Sequence, residues 1–316
     1  MGVPLEEAHI CTDVIVEADL RGIESHGVNR LKPIYYDRVN IGIQQAVTKI
    51  DIVRESPGTA VLDANHGMGM VAGHKAMSMA IEKARTVGTG MVVVRNSTHY
   101  GIAGYYATMA TETDMIGMTG TNARPSIAPT FGVENMLGTN PLVFGLPTDE
   151  DFPFVLDCAT SVSQRGKIEV YARHGKEMPP GWVVTRDGGT ETDPAKVLDM
   201  LVEGSAALAP LGGIGEDGAG YKGYGFATVV EVLSSALQSG AFLKALSGYQ
   251  DGKRVPYALG HFFMAIDLSH FDEPAQIKQQ TGEILRTLRA SDKAPGQDRI
   301  YTAGEKEHEA RLDRTA

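Results

Sequence analysis

Two short stretches carry residue types able to run acid–base chemistry on a small acid. In Arg21-Gly22-Ile23-Glu24-Ser25-His26-Gly27-Val28-Asn29-Arg30 the glycines break a preceding helix and leave Ser25 and His26 on a turn. Arg30 lies four residues past His26. If a helix restarts at Val28, His26 sits at its N-terminal end and Arg30 one turn inside. A guanidinium beside an imidazole suits a 2-oxo or 2-hydroxy acid. The guanidinium takes the carboxylate as a bidentate pair, and the imidazole serves the carbon-bound oxygen. The competing reading is a serine helix cap with a surface histidine. A second histidine, His99, lies in Asn96-Ser97-Thr98-His99-Tyr100-Gly101, where the chain leaves a strand before a helix with a small face of Ala103, Ala107 and Ala110. It reads as a second acid/base, as a polar contact to a cofactor, or as a capping or buried histidine.

A third stretch runs from Val155 to Ile168. The apolar run Phe154 to Leu156 ends in Asp157. Small residues follow, then Lys167 beside Gly166. A buried strand would deliver Asp157 to its end, where the carboxylate accepts bonds from ribose hydroxyls. The small residues would allow close approach to the backbone, and Lys167 would hold an anion. The plain alternative is a strand followed by a helix capped by Thr160 or Ser161. The glycine-rich segment Pro210 to Gly225 feeds a helix that runs to about Leu237. With Lys222 it is a phosphate site in principle, although it is no Walker motif; the alternative is a flexible lid.

These stretches need elements to position them. Residues 4–20 read as an amphipathic helix opened by Pro4, with a stripe of Ile10, Val14, Val16 and Leu20. Residues 59–65, a helix to about Arg85 and Gly90–Val94 make a βαβ unit with a glycine-rich turn at His66–His74. The spacing GxGxxxG differs from a dinucleotide fingerprint, and the second strand ends in Arg95-Asn96 rather than an acid, so the glycines are assigned to close helix packing. Met115–Thr119, Leu142–Leu146 and Gly260–Asp267 read as strands. Lys167–Gly175, a segment from Pro194 and Glu273–Arg289 read as helices. The end after the turn at Arg299–Glu305 reads as charged and solvated.

The chain has 316 residues, enough for a large core and two lobes. Its net charge of −10 argues against a nucleic-acid surface. Two cysteines, Cys11 and Cys158, give neither a disulfide framework nor zinc spacing and fit a reducing cytoplasm. The histidines show no HxH or HExxH, so no metal is expected. No run of about 18 apolar residues exists to span a membrane, and no leader is seen at the N-terminus.

Taken together, DLRGIESHGVNRL, NSTHYGIAGYY, GTNPLVFGLPT, FVLDCATSVSQRGKI, PLGGIGEDGAGYKGYG and HFFMAIDLSHF resemble the malate/L-lactate dehydrogenase family that lacks the classical Rossmann domain. That family also includes ureidoglycolate, sulfolactate and diketogulonate enzymes and a cyclic-imine reductase. The resemblance runs from about Val3 to Glu309 and is specific as a set, though each piece alone is weak. It implies an α/β fold with a non-Rossmann mixed-sheet nicotinamide-binding lobe (95–261) and a mainly helical lobe from both chain ends (1–94 with 262–316), assembled as a homodimer. It implies His26 as general acid/base supported by Ser25, Arg30 as carboxylate clamp, and His99 in acid/base or cofactor duty. Asp157, Cys158 and Ala159 match a cofactor-binding Asp-x-Ala segment. Asn122, Gly212, Gly213, Lys222, Gly304 and Glu305 join them as the remaining cofactor contacts. Lys167 joins the catalytic set and stands where the imine reductase uses an acid, a departure that favours hydroxy-acid chemistry. Two other departures are a missing short helix before Val3 and Ala303 in place of a common proline.

The function expected is NAD- or NADP-dependent hydride transfer at C2 of a 2-hydroxy or 2-oxo acid, malate or L-lactate foremost, with ureidoglycolate or a sugar acid as alternatives. The lean to malate comes from GTNPLVFG and PPGW, by resemblance. A hydrolase built on Ser25 and His26 is a distant alternative, because adjacent residues rarely point at one another and no GxSxG is present. So is a non-catalytic cofactor-binding protein, which would need neither His26 nor Arg30.

Overall fold

The computed structural model describes residues 1–316, which form two compact units. The first comprises Met1–Thr119, Val143–Asp157 and His261–Ala316; the second comprises Gly120–Leu142 and Cys158–Gly260. The first unit thus takes residues 95–119 and 143–157 as well as the two chain ends, a correction to the lobe boundaries expected from sequence. The reason is packing: Ala103, Tyr106, Ala107 and Ala110 share one core with Ala72, Ala76 and Ala80.

In the first unit α1 (Leu5–Leu20) starts after Pro4, as expected. Its buried face is Cys11, Val14, Ile15 and Ala18, while Val16, placed in the apolar stripe from sequence, is 41% exposed. Burial pushes the Cys11 thiol up to about 12, so it is an inert core group. A short helix α2 (Asp37–Asn40) precedes β1 (Asp51–Glu55), a strand the sequence reading did not find. The βαβ unit is present as β2 (Thr59–Asp63), α3 (Gly69–Val87) and β3 (Thr89–Ser97), with β2 and β3 parallel. Then come α4 (Gly104–Thr111), β4 (Met115–Thr121), β5 (Leu142–Leu146) and β6 (Phe154–Cys158).

One seven-stranded sheet runs β1-β2-β3-β11-β4-β5-β6, where β11 is Leu259–Asp267. It is mixed, because β1 pairs with β2 antiparallel. The α/β class is as expected, and this sheet is carried chiefly by the unit that contains both chain ends. The order places β6, which ends in Asp157 and Cys158, at a sheet edge. After α8 (Pro274–Arg289) the charged end is α9 (Glu305–Thr315), not a solvated tail. Arg311 donates to Glu17 at 3.0 Å, and Arg314 bonds the Asp19 carbonyl and Glu24, so the terminal helix is fastened beside the segment that carries His26.

The glycines at the head of α3 serve close packing, as their spacing suggested. A Cβ at Gly69 would stand 2.2 Å from the Thr98 carbonyl oxygen and 2.6 Å from that of His99; one at Gly73 would stand 2.8 Å from the Tyr106 ring. Gly69 N–H also donates to Thr98 Oγ1 at 2.9 Å, and Thr98 Oγ1 donates to Gly67 O at 2.8 Å. The turn bearing His99 is therefore seated directly on the first turn of α3. Gly69→Ala is expected to cost about 3 kcal/mol through backbone overpacking and to displace His99. Thermal unfolding together with turnover checks this; an unchanged Tm with full activity would contradict the seating.

The second unit holds α5 (Arg165–Arg173), β7 (Val183–Thr185), α6 (Pro194–Glu203), β8 (Ala206–Leu208), α7 (Gly220–Leu233), β9 (Tyr249–Gln250) and β10 (Lys253–Arg254). Ile127, Leu137, Ile168, Val183, Val197 and Leu208 pack together as its core. The Asp193 carboxylate caps α6, with Pro194 opening the helix. Neither Thr160 nor Ser161 caps α5, which follows Gln164; Thr160 Oγ1 instead donates to Thr139 O at 3.1 Å. No helix is long and apolar enough to cross a membrane.

Candidate active site

The chain leaves α1 through two 3-10 turns, Glu24–His26 and Val28–Arg30, and enters a π-helix over Leu31–Tyr36. The α-helical restart considered from sequence is absent. At Gly27 a Cβ would stand 1.7 Å from the Asp19 carboxylate and displace it from the Val28 N–H, from which it accepts at 2.9 Å. The wider π turn stacks residues five apart, which relates Arg30 to Tyr35. Tyr35 is fully buried among Val14, Met70 and Ile102.

Four expected residues meet in this unit. Ser25 Oγ lies 2.8 Å from His26 Nδ1, so these adjacent residues do point at one another, against the expectation from sequence. Arg30 Nε donates to the Ser25 carbonyl at 2.5 Å, which leaves its two terminal nitrogens for an anion. The His26 and His99 rings stack with centroids 5.5 Å apart and planes 22° apart. His99 Nδ1 lies 2.8 Å from the Tyr35 hydroxyl and accepts the Gly101 N–H at 3.2 Å. Both imidazoles are half-buried. Burial, then the Arg30 charge, lowers His26 to about 4. Burial, then the charges of His26, Arg38, Arg30 and His261, holds His99 well below the usual histidine value. Both rings are neutral at pH 7.

A pocket of about 180 Å³ opens in the same unit, lined by Arg21, Ile23, Ile102, Gly104, Asp157 and Gly304 among others. Ile23 and Ile102 each lie three residues from a histidine of the pair, while His26, Arg30 and His99 are not themselves among the lining residues. Asp157 Oδ2 accepts Gly104 N–H at 2.7 Å, and the residue stays exposed to solvent, with Oδ1 left for a ligand. Gly304, at φ 91°, lets the C-terminal turn close onto β6: a Cβ would stand 2.9 Å from Val155 N, whose N–H donates to Ala303 O at 3.2 Å. The carboxylate and the close backbone fit the nucleoside portion of a dinucleotide.

Other expected cofactor contacts have internal occupations. Glu305 is 3% exposed and is held by Arg299, by Arg289 at 3.6 Å and by the Thr302 N–H at 3.0 Å, so it locks the turn and does not line the pocket. In the second unit, Asn122 is fully buried. Its Oδ1 accepts Gly260 N–H at 2.8 Å and its Nδ2 donates to Ala241 O at 3.2 Å, a clip between segments with no face offered to a ligand. A Cβ on Gly212 would meet Ala219 at 2.7 Å, so that glycine lets the loop fold on itself. Gly213, at φ 96°, borders a separate pocket with Pro129, Phe131 and Ile214. Cys158 lies 3.9 Å from Leu142 O, and Ala159 is half-buried. Lys222 is exposed beside Tyr221. Lys167, proposed for catalysis, belongs to the second unit, where its ammonium lies 4.9 Å from the Trp182 ring centre. Sequence reasoning missed Tyr35. Its signal was the tyrosine pair after Arg30, but the π turn that aims it has no sequence signature.

Comparison with known proteins shows which class this mixed-sheet fold with its paired-histidine, arginine-bearing site belongs to. The whole chain, residues 1–316, matches the malate/L-lactate dehydrogenase family, and the protein belongs to that family of hydroxyacid dehydrogenases. It is 45% identical over 307 residues to the malate dehydrogenase of Pyrococcus horikoshii, covering 97% of this chain and 82% of the relative. It is 39% identical over 321 residues to the L-sulfolactate dehydrogenase of Methanocaldococcus jannaschii, covering 99% and 86%. The crystal structure of malate dehydrogenase from Entamoeba histolytica superposes with a TM-score of 0.95 at 46% identity, covering 99% of this chain and 86% of that one. The family implies a nicotinamide cofactor.

Proposed function

We propose that the protein is an NAD-dependent malate dehydrogenase that interconverts malate and oxaloacetate. The observation that carries this reading is the His26–His99–Arg30 cluster, in the same unit as the pocket that presents Asp157. When bound, the nicotinamide accepts or gives the hydride at C2. The chain's own residues do the rest. The free edge of Arg30 holds the C1 carboxylate and orients C2. A neutral imidazole takes the hydroxyl proton during oxidation and returns it during reduction.

Malate is favoured over lactate by the similarity to enzymes named malate dehydrogenase. Steady-state assays with oxaloacetate, sulfopyruvate, pyruvate and oxalurate test this choice. The highest kcat/KM is expected for oxaloacetate; a preference for pyruvate would overturn the choice of malate.

NAD is favoured over NADP because Asp157 offers a carboxylate where a ribose would bind, which suits hydroxyls and repels a 2′-phosphate. The pocket guanidiniums of Arg21 and Arg311 are both engaged by Glu17. Asp157→Ala is expected to weaken NADH binding about tenfold to a hundredfold and to narrow the gap to NADPH. Fluorescence titration with both nucleotides checks this, and unchanged affinities would remove Asp157 from the cofactor site.

A further inference from the structure

We infer that the Gly101 amide and the Tyr35 hydroxyl fix His99 as an Nε2–H donor toward the substrate oxygen, which leaves the travelling proton to His26 and makes Tyr35 a positioning residue. The inference rests on the dehydrogenase reading for its chemistry, but the tautomers rest on geometry alone. The Gly101 N–H can only donate, and it points at His99 Nδ1. That nitrogen therefore holds a lone pair, and a neutral ring must keep its proton on Nε2. Tyr35, buried and pushed above the usual tyrosine value, remains a hydroxyl and donates to the same lone pair. The charged and titratable neighbours acting on His99 are His26, Arg38, Arg30 and His261; none is an anion that would favour a second ring proton.

His26 is under no such constraint. Its Nδ1 faces the Ser25 hydroxyl, which accepts as readily as it donates. With the proton on Nδ1 bonded to Ser25 Oγ, Nε2 is left as a base. In malate oxidation the hydroxyl O–H bond breaks and its proton goes to His26. A bound oxidised nicotinamide would take the C2–H electron pair as hydride while the C2–O bond becomes a carbonyl. The His99 N–H bonds that same oxygen throughout and steadies its developing negative charge. Tyr35 is a positioning residue that acts through His99.

Two measurements test this. In protein with ¹⁵N-labelled histidine, the ring-nitrogen spectrum reports each tautomer without turnover; the signals lost in His99→Gln are expected to be those of an Nε2–H ring. An Nδ1–H or doubly protonated His99 at pH 7 would overturn the inference whatever the enzyme's substrate. In kinetics, His99→Gln keeps an N–H donor but cannot ionise. It is expected to lose about tenfold to a hundredfold in kcat with the acid limb of the pH profile intact. Tyr35→Phe is expected to lower kcat about threefold to tenfold, the share of one hydrogen bond, with KM and the acid limb unchanged. Loss of the acid limb in His99→Gln would make His99 the proton carrier and contradict the assignment.

Discussion

Replacing His26 by glutamine is expected to lower kcat by about 10³-fold or more in both directions, with NADH binding unchanged. Glutamine is close in size and polar, so the turn held by Gly27 and Asp19 stays intact and the loss is chemical. The effect exceeds that at His99 because an amide imitates a donor but cannot take a proton. Wild-type malate oxidation should also show an acid limb in kcat/KM. Oxidation needs His26 neutral, and burial with the neighbouring Arg30 holds it at about 4. Activity is therefore level from neutral pH downward, then falls as pH drops through the His26 value. The limb disappears with the imidazole. A His26→Gln enzyme with near-normal kcat and an unaltered limb would assign the proton elsewhere.

Arg30 is the second large expectation. Arg30→Ala should lower kcat/KM for oxaloacetate by about 10²- to 10³-fold, the loss of two charge-assisted hydrogen bonds to a carboxylate. Arg30→Lys should recover only part of it, since a point charge cannot reproduce the planar fork. A further sign follows from electrostatics. The Arg30 charge depresses His26, so its removal moves the acid limb of malate oxidation to higher pH. Arginine also holds the Ser25 carbonyl, so kcat should fall along with affinity. If KM rose alone and the limb stayed in place, Arg30 would be a remote binding group and not a neighbour of the proton carrier.

Much of this site was legible in the sequence because its signals are local. The glycine-bounded turn with Ser25, His26 and Arg30, the histidine at a strand end, and an apolar strand delivering Asp157 each declare themselves within a dozen residues or fewer. The packing role of Gly69 and Gly73 was legible too, because their spacing failed to match a phosphate loop. What was illegible depends on distant contacts. Glu305 looked free to meet a cofactor, but Arg289 and Arg299 close on its carboxylate from other segments. Asn122 looked available until Gly260 and Ala241 took both ends of its amide. The charged C-terminus lacks an apolar stripe strong enough to announce a helix, and it becomes one through Glu17, Asp19 and Glu24 near the other end of the chain. The unit boundaries depend on alanine faces that meet only once α3 and α4 are packed.

The most direct test of the account is the fate of hydrogen from NADH deuterated at nicotinamide C4. Incubated with oxaloacetate and the wild-type enzyme, the account predicts malate carrying deuterium at C2, with the label retained in proportion to cofactor oxidised. Binding of NADH without label transfer to any 2-oxo acid tested would contradict hydride transfer at this site.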